Sequence, residues 1–197
     1  MASFTPWSRR SAEPASWRVL LCILATLLAL GARPAAADGI VVKQAGLIET
    51  EDGYALDAEF DIDFNSALID VVNRGVALYF VLDLDVSRSR WYWLDERPIT
   101  FQRVYKITYA PLVQHYRLQS GLYTQNFTRF EDLRRALSRI RALPVAERGT
   151  LRKGEAYVGY LRFRLDTSQL PKPLQISTVA SRDWALNSEW QRLEVRP

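Results

Sequence analysis

The chain is poor in the side chains from which most active sites are built, with one cysteine and one histidine in 197 residues. Cys22 lies inside an N-terminal apolar run that export would remove. The remainder then has no cysteine, which excludes disulfides, thiolate metal sites and cysteine nucleophiles. With His115 alone, a site of several histidines is impossible, and a Ser-His-Asp arrangement would have to recruit that residue. No G-x-S-x-G, Walker, Rossmann or H-E-x-x-H spacing occurs. The apolar run itself, VLLCILATLLAL from Val19 to Leu30, falls short of the roughly 20 residues a spanning helix needs.

That run follows Arg9, Arg10 and Arg18 and precedes PAAAD, in which Ala35 and Ala37 occupy the small-residue positions of a cleavage site. It predicts a cleaved signal peptide over residues 1–37 and a single β-rich, periplasmic domain over residues 38–197. Leu21 before Cys22 argues against a lipid anchor. Ser11, Ala12 and Glu13 make Arg9-Arg10 a weak twin-arginine signal. Cleavage removes four arginines and one glutamate from the 26 basic and 22 acidic residues, leaving a net charge of +1. Charge therefore gives no reason to expect nucleic acid.

Alternation dominates what remains. In YALDAEFDIDF, Tyr54, Leu56, Ala58, Phe60, Ile62 and Phe64 share one face, and Asp57, Glu59, Asp61 and Asp63 the other, as in a half-buried strand. Asn65-Ser66 offers a helix N-cap, Leu68, Ile69, Val71 and Val72 an apolar stripe, and Gly75 a stop. From Val76, VALYFVLDLDV alternates again, and Ile99–Ala110 reads as its hairpin partner through Asp95 to Pro98. LVQHYRLQ predicts a strand with Leu112, Tyr116 and Leu118 on one side. Thr128 to Glu131 fits a capping box, and Phe130, Leu133, Leu137 and Ile140 follow at helical spacing until Pro144. EAYVGYLRFRLD turns Tyr157, Leu161, Phe163 and Leu165 inward and Arg162 and Arg164 outward. LPKPLQISTVA and DWALNSEWQRLEV read as two last strands, with Pro171 and Pro173 fixing an extended entry. The pattern predicts a mostly β protein, an antiparallel β-sandwich immunoglobulin-like in its layering, with two short helices.

The stretch SRSRWYWLDERP holds the most pointed candidates. If the strand from Val76 keeps its phase, Trp91 and Trp93 join Tyr79, Val81, Asp83 and Asp85, while Arg88 and Arg90 inherit the apolar face. Buried unpaired arginines are costly, so either the hairpin overhangs the core or a bulge near Ser87 to Ser89 flips the phase. Indoles about 6.7 Å apart on one side of a strand suit a sugar ring, a peptide proline or an apolar patch. The plainer reading makes them cover for the end of the sandwich.

Asp57, Glu59, Asp61 and Asp63 would hold calcium only if loops added further oxygens, because calcium takes six to eight. Neutralisation across the sheet by Arg103, Lys106, Arg162 or Arg164 is the simpler expectation, and no metal or cofactor is expected. The segment around Arg134, Arg135 and Arg139 gives the second helix a basic outer face, suited to an acidic partner or an anionic membrane surface.

The runs W-Y-W (Trp91 to Trp93), L-P-K-P-L-Q (Leu170 to Gln175) and S-R-D-W-A-L-N-S (Ser181 to Ser188) resemble the proteobacterial exported proteins grouped as domain-of-unknown-function family 4390, over roughly Ala55 to Arg192. The resemblance implies an exported protein of Gram-negative bacteria whose gene neighbours that of a membrane sensor kinase. It transfers no activity, cofactor or catalytic residue. The expectation is thus a non-catalytic periplasmic interaction module. It would contact an envelope protein, with a sensor kinase as one candidate, through Trp91, Trp93 and Arg134, Arg135 and Arg139. The alternative is a hydrolase, or a small-ligand or carbohydrate-binding protein, using His115 or the Trp91/Trp93 surface. Strand order and oligomeric state are not readable.

Overall fold

From Leu78 through Phe80, Leu82 and Leu84 to Val86, every second side chain of one strand is buried, and the rest of the fold is assembled around it. The computed structural model describes residues 39–88, 96–175, 184 and 186–196. In chain order the elements are β1 (Ile40–Glu49), β2 (Gly53–Ile62), α1 (Ser66–Asn73), β3 (Leu78–Arg88), β4 (Glu96–Ala110), β5 (His115–Ser120), β6 (Tyr123–Phe127), α2 (Phe130–Leu137), β7 (Arg139–Glu147), β8 (Tyr157–Leu165) and β9 (Gln191–Val195). They form two antiparallel sheets, ordered β1-β2-β7 and β6-β5-β4-β3-β8-β9. The protein is mostly β with two packed antiparallel layers, as the alternation predicts.

The layers meet through aromatic side chains on their inner faces. Phe60 of β2 lies 4.8 Å from Phe163 of β8, and Phe163 lies 5.6 Å from Phe80 of β3. Phe64 continues the cluster to Phe130 of α2 at 5.0 Å, edge to face. Burying these rings, with Leu56, Ile62, Leu82 and Leu161, supplies the apolar area that holds the sheets together, at roughly 25 cal/mol per Å². In α1, Asn65 Oδ1 accepts the Leu68 amide at 2.9 Å, Leu68 and Val72 are buried, and Gly75, at φ +86°, closes the turn.

Several elements depart from their sequence pattern. The helical spacing expected to reach Pro144 stops at Leu137, and Arg139–Glu147 is strand β7, paired with β2. Ile140 is buried as a strand residue opposite Ala58, a pairing that a continued helix would forfeit. The N-cap of α2 is Arg129, without a side-chain cap, so Thr128 does not act as the capping residue. Leu112, expected on an inner face, is fully exposed in the turn before β5. Residues 172–175 form a helical turn bonded back to Pro171 O, not an extended strand entry. Strands β1 and β6 carry no clear alternation. A register shift between Val42 and Gln44 interrupts β1, and β6 is polar apart from its two ends.

The phase problem at the end of β3 is solved by ion pairing. Pairing passes from Val86 opposite Ile99 to Arg88 opposite Glu96, so the extra residue sits in β4, at Arg97-Pro98. Arg88 stays in phase with Val86 and only 15% of its side chain is exposed. Its guanidinium pairs with Glu96 at 2.7 Å and with Glu155, and lies 6.0 Å from the Tyr157 ring centre.

Candidate binding surfaces

Trp91 and Trp93 lie outside the described residues. The helix arginines are all accounted for by nearby carboxylates. Arg134 pairs with Glu131 at 2.9 Å, Arg135 pairs with Asp132, and Arg139, now on β7, approaches Glu59 at 3.9 Å. Such exposed pairs contribute little stability, but they spend the positive charge of that face on neighbours. The carboxylates of β2 are neutralised within their own sheet, Asp61 by Lys43 at 3.0 Å and Glu59 by Arg141 at 3.4 Å. The expected partners Arg162 and Arg164 instead bind Asp83 in the other sheet. Nδ1 of His115 contacts Val113 O in the preceding turn, and His115 lines neither of the two cavities described below.

Positive charge without carboxylates collects elsewhere. No Asp or Glu occurs between Glu96 and Glu131, the segment that folds into β4, β5 and β6. It carries Arg97, Arg103, Lys106, Arg117 and Arg129, and none of these makes an ion pair among the described residues. β6 is an edge of the six-stranded sheet, with Tyr123 to Asn126 exposed. The β5–β6 turn adds Leu122, 100% exposed beside Tyr123, which is 82% exposed. Of the cations, Lys106 and Arg117 share the solvent face of β4 and β5, a grouping hidden in the sequence because only strand pairing brings the two together.

On the solvent face of the same sheet, Asp85, Ser87, Arg97, Tyr160 and Trp190 line a cleft of about 390 Å³. Asp85 and Tyr160 are direct cross-strand partners between β3 and β8. The Trp190 ring centre lies 4.4 Å from the Arg162 guanidinium. Arg162 is anchored at 3.0 Å to Asp83, which also accepts Arg164 Nε at 3.0 Å and Gln102 Nε2 at 2.8 Å. Burial alone would raise the Asp83 pKa, but these three donors outweigh it and hold the carboxyl below its ordinary value. A second cavity, of about 500 Å³, follows the β2–β7 seam from Thr50 and Gly53 to Ala142 and Glu147, with Tyr54, Asp52 and small residues of both strands in its walls.

Two packed antiparallel layers with two clefts and a polar edge strand define a β-sandwich, without an assembled catalytic constellation among the described residues. The chain belongs to the family described as Domain of unknown function (DUF4390), whose model matches residues 37–194. No curated protein and no solved structure matches it.

Proposed function

We propose that this protein is a non-catalytic interaction module of the periplasm, and that its principal docking surface is the β4-β5-β6 half of the large sheet. The observation that carries the reading is the absence of carboxylates between Glu96 and Glu131, combined with a β6 edge that pairs with no further strand among the described residues. A sheet edge offers unpaired backbone donors and acceptors to an added strand. Cations without a paired carboxylate favour an acidic partner and speed the encounter. The occupant is an extended, acidic segment of an envelope protein, with a membrane sensor kinase among the candidates. The signal peptide expected over residues 1–37 and the export that the sequence resemblance implies support the compartment.

Photo-crosslinking from a reactive side chain placed at Thr124 tests this in cells. The expected result is a discrete protein adduct, reduced at least about tenfold by Lys106→Glu/Arg117→Glu in a variant of unchanged melting temperature. An adduct indifferent to these reversals would overturn the proposed surface. Charge-dependent sedimentation with phosphatidylglycerol vesicles, without a protein adduct, would replace the acidic protein with a membrane.

A further inference from the structure

The solvent-face cleft lies apart from the β6 edge, with β3, β4 and β5 between β8 and that edge, and it has the composition of a small-ligand site. Trp190, just before β9, and Tyr160, on the outer face of β8, are 44% and 40% exposed. Trp190 is also fixed in place. One face of its indole is occupied by Arg162, and Arg162 is fixed by Asp83, which Arg164 and Gln102 hold from two further positions. A ring oriented before a ligand arrives loses little rotamer freedom on binding.

The polar members narrow the ligand class. Asp85 is half-buried and Arg97 exposed, and neither makes an ion pair among the described residues. Ser87 stands between them along the cleft, its hydroxyl reaching Val158 O only at 3.5 Å. A lone carboxylate repels phosphates and acidic peptides, and a lone guanidinium repels cations. Together with a hydroxyl they present acceptors and donors of both kinds to a neutral, polyhydroxylated molecule. A pyranose has the matching form, an apolar C–H face for an aromatic ring and a rim of hydroxyls for the polar groups. The cleft volume of about 390 Å³ falls at the lower end of the range for small-ligand sites, about 300–1,000 Å³.

We propose that the cleft is a saccharide-binding site that takes a short neutral glycan, with Trp190 and Tyr160 as stacking faces and Asp85, Ser87 and Arg97 as hydroxyl partners. Arg162 and Asp83 are positioning residues that act through Trp190. The site requires no covalent step.

The test is an NMR titration of the protein with chitotriose, cellotriose and maltotriose at millimolar concentration, with hexaproline as the competing chemistry. Saturable shifts at Tyr160 and Trp190 are expected with at least one sugar. Trp190→Ala should weaken that affinity about tenfold or more, and Asp85→Asn by about three- to tenfold. Trp190→Phe, which keeps a stacking face, should recover most of the loss and guards against a variant that misfolds. Leu122→Ser, on the β6 side, should leave sugar affinity unchanged. No saturable shift with any of the three sugars, unchanged affinity in Trp190→Ala, or shifts with hexaproline alone would each overturn the proposal. None of these results depends on whether β6 docks a partner.

Discussion

Asp57 Oδ1 accepts a hydrogen bond from the amide of Ala142 at 2.6 Å, at the point where β7 leaves the extended conformation. Ala142 has φ +47°, and pairing with β2 skips from Leu56 opposite Leu143 to Ala58 opposite Ile140. A left-handed backbone costs an L-residue about 1–2 kcal/mol, so the acceptor on β2 helps hold a strained bulge. Ala142→Gly should raise stability by about 0.5–1 kcal/mol, the strain relief exceeding the added unfolded-state entropy. Asp57→Ala should lower it by about 1 kcal/mol. Urea denaturation checks both, and destabilisation by Ala142→Gly would contradict the strain argument.

Gly53 makes the opposite case in the same sheet. A Cβ there would collide with Ala146 O and stand 2.7 Å from Glu147 C, both main-chain atoms, at φ +152°. Backbone cannot move aside as a flexible side chain can, so Gly53→Ala should cost at least about 2 kcal/mol. Gly149→Ala, whose Cβ would meet open space at φ +85°, is the matched control and should cost less. Equal losses would show that close approach does not decide the difference.

Two groups set the pH response in opposite directions. The folded pKa of Asp83 lies below its unfolded value, near 3.9, so its contribution is complete above that pH and is lost as pH falls through the lower folded value. Asp83→Ala, which strips Arg162 and Arg164 of their counter-charge, should cost about 2 kcal/mol at pH 7, with the gap to wild type narrowing below about pH 4. Burial pushes the Tyr105 hydroxyl up to about 12, against the opposing effects of Arg103 and Ser120. The unfolded tyrosine loses its proton near pH 10 while the folded one keeps it, so stability should fall between about pH 10 and pH 12. Tyr105→Phe should remove that alkaline component. Unfolding curves across both ranges provide the check.

The paired helix arginines and the carboxylate-free strands can be separated directly. Arg134→Ala/Arg135→Ala should change stability by less than about 1 kcal/mol and leave any charge-dependent partner adduct intact, because both cations are already matched to Glu131 and Asp132. Lys106→Glu/Arg117→Glu should reduce the adduct at least about tenfold. The reverse ranking, read by quantitative crosslinking, would return the docking surface to α2.

The strands with strict alternation were legible because a two-residue period and burial on one face impose the same pattern, as in Leu78 to Val86 and Tyr157 to Leu165. α1 was legible from its Asn65 cap and Gly75 stop. β7 was not, because Phe130, Leu133, Leu137 and Ile140 fit a helix period, while pairing with β2 decides the conformation of the last of them. The cleft was equally hidden, since Trp190 and Asp85 lie far apart in the chain and become neighbours only through β8.

The sequence by itself determined a β protein, its inner faces and its family, because composition and local periodicity carry that information. Only the tertiary structure decided which charges neutralise one another and which remain free. Ion pairing acts over a few ångströms of space, and strand order, which local pattern does not encode, sets those distances.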